Sequence, residues 1–146
     1  MNETFGRRLT RFPILADGSL GSAKVVTEFG AGTFPDGLVE DQEGNFWVTS
    51  IVSNRVICVA EDGRQSLFLE DYDSDHLAWV EQAYQASDMG RPHLDNVKSG
   101  VLKSISSLAF GGPDLRTAYL GCLLGDSLAT IRMPVAGRPP VHWNYS

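Results

Sequence analysis

Cysteine is scarce in this chain. Cys58 and Cys122 are the two that 146 residues hold, too sparse a pair to form a disulfide framework, and both sit in segments that read as apolar strands, where buried reduced thiols are expected. Histidine is nearly as rare: His76, His93 and His142 stand far apart, with no cysteine or second histidine at ligand spacing, which argues against zinc held through nitrogen and sulfur. No segment approaches the roughly 18 apolar residues of a membrane span, and the opening MNETFGRRLTRF puts charges where a signal peptide needs an apolar core. A soluble, cytoplasmic protein with no membrane partner is the expectation. Basic charge is also short: 12 Lys and Arg face 18 Asp and Glu, a net charge of -6 that repels nucleic acid and anionic lipid. Ser106 and Ser107 have no GxSxG elbow around them. Gly111 and Gly112 lack the lysine and spacing of a phosphate loop.

What the chain does have is repetition. RRLTRFPILADG, NRVICVAEDG and DSLATIRMPVAG share a cadence of strand, short turn and glycine, ending at Gly18, Gly63 and Gly137, with Leu9, Val56 and Leu128 in matching positions, 47 and 72 residues apart. The longer interval holds an insertion over about residues 71–103. Upstream of the second and third copies lie PDGLVEDQEGNFWVTS and ISSLAFGGPDLRTAYLGC, each a short strand, a glycine turn and an aromatic-bearing strand, in which Trp47 and Tyr119 align 72 apart. One repeat of about 47 residues has the length of a propeller blade.

Such a unit is a small sheet that cannot cover both faces alone, so neighbouring units must stack on it. In VICVA and LATI, branched residues crowd together, as in a sheet packed on both sides. Asp17-Gly18, Asp62-Gly63 and Gly44 supply the positive-φ turn positions. The insertion differs in kind. Asp73 and Ser74 are N-cap candidates, Leu77, Val80 and Tyr84 follow at helical spacing, and Gly90 with Pro92 forms a stop. These residues predict one amphipathic helix of about three turns, then an ordered loop, lying outside the sheets as a lid or an interface. The fold expected is all-β: a single domain over residues 1–146, a partial β-propeller of about two and a half blades of four-stranded antiparallel sheets, with one inserted helix.

At FPDGLVEDQEGNFWVTSIVSNRVICVAEDG the sequence resembles the senescence marker protein, gluconolactonase and regucalcin family, whose blades read PDG, then EGNLWV, then a strand with an arginine-valine pair; SSLAFGGPDLRTAYL resembles the blade that follows. With ETFGRRLTRFPI, the resemblance spans nearly the whole chain and corresponds to that family's C-terminal part. It implies a six-bladed propeller with one divalent cation, calcium or zinc, on its axis, and hydrolysis of a small sugar lactone with an aspartate as general base. A hard cation of this kind takes oxygen ligands and polarises a carbonyl. Asp36, in the PDG, matches the family's aspartate, and so is both the catalytic and a metal-ligand candidate. Ser106, at the equivalent repeat position, should face the same axis as a weak second ligand. The other ligands belong to blades with no counterpart here, and Asn2 and Glu3 align with a strand beyond the family's asparagine.

The resemblance therefore implies the C-terminal portion of a metal-dependent lactone hydrolase with impaired or no activity alone. A non-catalytic, self-associating propeller module or small-ligand binder is the alternative. Exposed edges and uncovered blade faces lead us to expect a homo-oligomer, most simply a dimer. Asp36 can also be read as a simple turn residue, and Asp41 with Glu43 as the solvent side of the turn before Gly44. His93, with Arg91 in GRPHLD, is either structural or part of a loop over an active-site mouth. Trp47, Trp79, Tyr119 and Trp143 are read as packing residues, and RPPVHWNYS as an edge segment.

Overall fold

Among the described residues, ten short strands alternate with tight turns, and they group into three antiparallel sheets in chain order. The computed structural model describes residues 1–96 and 98–144; Tyr145 and Ser146, which end the expected edge segment, lie outside that range. The N-terminal sheet contains β1 (Asn2–Glu3), β2 (Arg8–Arg11) and β3 (Lys24–Glu28). The middle sheet contains β4 (Phe34–Glu40), β5 (Phe46–Ile51), β6 (Arg55–Val59) and β7 (Gln65–Leu69), paired in that order. The C-terminal sheet contains β8 (Ile105–Gly111), β9 (Thr117–Cys122) and β10 (Ala129–Arg132). Among the described residues, only the middle sheet has the four strands expected of each blade; its neighbours have three.

The sheets stack face to face, as their crowded apolar strands require. Leu9, Val26 and Phe29 of the first sheet region pack against Val48, Ile57 and Val59 on one face of the middle sheet. Trp47 and Val56, on its other face, pack against Ile105, Leu108, Ala118 and Leu120. Alternation along β6 explains how one strand serves both cores: Val56 and Cys58 point one way, Ile57 and Val59 the other. Each of these fully buried valines contributes roughly 1.5–3 kcal/mol.

The turns follow their sequences. Gly18, Gly44 and Gly63 take φ of 82°, 83° and 89°, conformations that suit residues without a Cβ. Asp41 differs from expectation. It is 1% exposed rather than on the solvent side, because its carboxylate accepts from the amides of Glu43 and Asn45 and from Trp47 Nε1 at 2.8 Å. The register of the repeats also needs correcting. The turn at Asp41–Gly44 matches that at Gly112–Leu115, closed by the same backbone bond, so Trp47 corresponds to Ala118, buried like it. Tyr119 is one residue further on and points to the opposite face, 38% exposed.

The insertion forms α1 (Ser74–Gln85) and a one-turn α2 (Arg91–Leu94). Asp73 caps α1 by accepting from His76 N, and Leu77 and Val80 bury against Phe34, Ile51 and Val52 at one end of the middle sheet. Pro92 does not act as a stop here. It sits in the first turn of α2, where its missing N–H removes no helical bond. A network running from the surface at Asp71 to buried Asn54 closes the base of the insertion: the Asp71 carboxylate accepts from the amides of Gly100, Val101 and Leu102, while Asn54 donates to the carbonyls of Asp71 and Leu102 and accepts from Ile105 N. Among the described residues, no helix is long and apolar enough to cross a membrane.

Candidate functional site

Asp36 stands at a β-bulge. The pairing of β4 with β5 shifts between Pro35 and Leu38, which leaves Asp36 and Gly37 out of the ladder. The segment is fixed from three sides. Gly37 N donates to Thr49 Oγ1 at 2.9 Å, Asn2 Nδ2 donates to the carbonyls of Asp36 and Gly37 at 3.0 and 2.9 Å, and Thr4 Oγ1 donates to Pro35 O. Gly37 also has to be glycine: a Cβ there would lie 2.7 Å from the Ser106 carbonyl oxygen and 2.6 Å from Thr49 Oγ1. β1, β4 and β8 therefore converge on this bulge.

The carboxylate itself is exposed, and among the described residues no donor reaches it. Partial burial pushes its pKa above the ordinary 3.8, with no cation nearby to oppose the shift. Phe34, two residues earlier on β4, lies beneath α1, so Asp36 falls about 7 Å along the strand from the end that the insertion covers. Asn2 contributes here although its sequence position suggested no role. Its Nδ2 braces the bulge, while its Oδ1 is buried without a partner.

By the 71-residue register of the pairs Phe34–Ile51 and Ile105–Cys122, Ser107 stands where Asp36 does, and Ser106 where Pro35 does. β8 bulges between Ile105 and Ser107 much as β4 does, and its backbone touches Gly37. The Ser106 side chain lines a different space, a groove of about 370 Å³ shared with Ser107, Gly121 and Leu128 that Asp36 does not line. Asp36 and Ser106 share neither a strand position nor this groove. Among the described residues no three His, Cys, Asp or Glu side chains cluster to hold a metal ion. One exposed carboxylate and one hydroxyl from separate cavities do not fit the oxygen shell of a divalent cation.

The histidines are elsewhere. His76 and His93 flank the Trp79 ring, with centroids 5.6 and 4.2 Å away. His93 Nδ1 accepts from Gly90 N. Burial holds His76 below its ordinary pKa, and its Nε2 has no partner. His142 lies on a closing 3-10 turn, Val141–Asn144. Cys58 and Cys122 are free and half-buried.

The family described as SMP-30/Gluconolactonase/LRE-like region matches residues 1–68, which cover the first sheet and nearly all of the middle one. The match spans a little under half of the chain. Nine-tenths or more of the chain superposes on solved propellers. It covers 93% of itself and 35% of a putative gluconolactonase, at 21% identity and a TM-score of 0.57. A calcium-binding protein, regucalcin, from Agrobacterium tumefaciens C58 aligns over 92% of this chain and 40% of that one, at 21% identity and a TM-score of 0.54. A luciferin-regenerating enzyme aligns over 90% and 36%, at 19% identity and a TM-score of 0.53. No curated protein matches the chain. At these identities the likeness establishes the fold: a partial propeller of SMP-30/gluconolactonase architecture, spanning 35–40% of the solved chains.

Proposed function

We propose that this chain is a segment of a gluconolactonase-like hydrolase in which Asp36 is the general base, and that alone it opens lactones only weakly. The observation that carries this reading is the Asp36 carboxylate: exposed, unpaired, raised in pKa and mounted on a bulge braced by Asn2, Thr4 and Thr49. A structural aspartate such as Asp41 or Asp71 spends its oxygens on nearby amides; Asp36 leaves both of its own for a ligand.

In this reading Asp36 accepts a proton from a water molecule whose oxygen adds to the lactone carbonyl. The tetrahedral adduct then expels the ring oxygen, which takes up the proton, and a hydroxy acid is released. General-base assistance contributes roughly 10²–10⁴-fold. Among the described residues no three His, Cys, Asp or Glu side chains cluster to hold a metal ion that would stabilise the developing oxyanion, and a weak rate is expected without that electrostatic contribution.

The test is ring opening of an aldonolactone by the purified chain and by Asp36→Asn, each with and without calcium, zinc or manganese. A slow reaction that falls to the buffer rate in Asp36→Asn is expected, and its rate should rise with pH through the raised pKa. Equal rates for the two proteins would remove Asp36 from any catalytic role and leave the non-catalytic module as the better reading.

A further inference from the structure

The inserted helices hold two histidines in surroundings that suit an uncharged ring. His76 is 6% exposed, and among the described residues its Nε2 has no hydrogen-bond partner. It stands in the first turn of α1, where its own amide donates to the capping carboxylate of Asp73. The amides at a helix start carry partial positive charge, which opposes a cation placed among them. His93 is buried on α2, and its Nδ1 accepts from Gly90 N. A proton on that nitrogen would break the bond, because an imidazolium ring accepts nothing. The two rings flank Trp79, so α1 and α2 meet through an imidazole, an indole and a second imidazole.

The charges around His76 are mixed. Burial opposes a proton on it most strongly, Asp73 favours one, and Lys98 on the returning segment and His93 on α2 oppose one. Asp75, in the same turn, is exposed. Arg91 and Asp95 of α2 pair with each other, and the sheet residues beneath α1, Phe34, Ile51 and Val52, carry no charge. The second half of α1 is pinned separately: Glu81 holds Arg7, whose hydrogen bond keeps that carboxylate charged down to a pH of about 2.

We propose that the insertion is an acid-released lid: protonation of His76 detaches the first turn of α1 and the whole of α2 from the end of the middle sheet, while the Arg7–Glu81 pair keeps the rest of α1 in place. Leu77 and Leu94 then leave the cluster around Phe34, Ile51 and Val52, and that apolar end of the sheet is uncovered. Released into water, the His76 ring takes a proton near its ordinary pKa of 6.5, whereas the closed lid holds it lower. Above pH 6.5 both states carry the neutral ring and closure does not respond to it. Below pH 6.5 the open state binds the proton first, and the opening constant rises by up to about tenfold per pH unit until the closed-state value is passed. The proposal is independent of any chemistry at Asp36.

Amide hydrogen exchange of the full chain between about pH 7.5 and 5, corrected for the intrinsic pH dependence of exchange, tests this lid. Protection at the amides of Leu77, His93 and Asp95 should fall by up to about tenfold per unit below pH 6.5, while that of strands β5 and β6 holds steady. In His76→Phe, whose ring takes no proton, the fall should vanish. Level protection of the insertion in the wild-type chain, a fall shared equally by β5 and β6, or a fall kept in full by a folded His76→Phe would each overturn the proposal. If His76→Phe does not fold, the wild-type His76 ring followed by NMR decides: it should titrate over the pH range in which protection is lost, and titration outside that range would overturn the proposal equally.

Discussion

Arg7, in the turn between β1 and β2, and Glu81, on the inserted helix, form a two-pronged ion pair: Nη1 donates to Oε1 at 3.0 Å and Nη2 to Oε2 at 2.5 Å. The guanidinium also lies 3.7 Å from the Tyr84 ring centroid and 4.4 Å from that of Phe34, and Glu81 accepts a further bond from Gly32 N. A single arginine thus joins the first sheet, the middle sheet and the insertion.

The hydrogen bond from Arg7, opposed by burial and helped by Gln85 and Gly32, holds Glu81 at a pKa of about 2 against an ordinary 4.5. Because the folded value lies below the unfolded one, its stabilisation is full above pH 4.5 and fades between 4.5 and about 2. Glu81→Gln should destabilise the fold by about 2 kcal/mol at pH 7. Urea unfolding at several pH values should show the wild-type advantage shrinking across that window.

Asn54 is fully buried, and its side chain serves Ile105 N and the carbonyls of Asp71 and Leu102. Asn54→Ala leaves those groups unpaired and should lower stability by about 3 kcal/mol. Hydrogen exchange should accelerate at Gly100, Val101 and Leu102, whose amides depend on the same clamp.

Asp41→Asn is nearly isosteric, yet it turns one acceptor oxygen into a donor facing Trp47 Nε1 and Asn45 Nδ2. A loss of about 2 kcal/mol is expected, and Trp47 emission should shift to the red as its packing loosens.

Asp36 should behave in the opposite sense. Its folded pKa is raised by burial, so the ionised form is disfavoured at neutral pH and the penalty is relieved as pH falls through the raised value. Asp36→Asn should therefore stabilise the fold at pH 7 by under about 1 kcal/mol, a gain that diminishes on acidification in thermal melts.

The repeat, the turn glycines, the strands and α1 were legible because each rests on local pattern: period two in β6, positive-φ glycines at 18, 44 and 63, and an aspartate before an apolar helical spacing. The register of Trp47 was misjudged because aromatic was matched with aromatic across turns of equal length, 41–45 and 112–116, and an error of one residue reverses the face. Asp41 looked like a solvent residue since nothing local announces that an indole six residues later will reach back to it. Asn54 and Asp71 were missed for the same reason: their partners lie 51 and about 30 residues away. At the candidate site, the motif PDG located Asp36, but the brace from Asn2 arises from tertiary contact alone.

The Asn54 and Asp71 clamp brings both ends of a thirty-residue excursion to one point beside β8. Changes of length in the loop between α1 and the clamp would therefore leave the strand ends in place, whereas removing α1 would uncover Phe34, Ile51 and Val52 and deprive Arg7 of its partner.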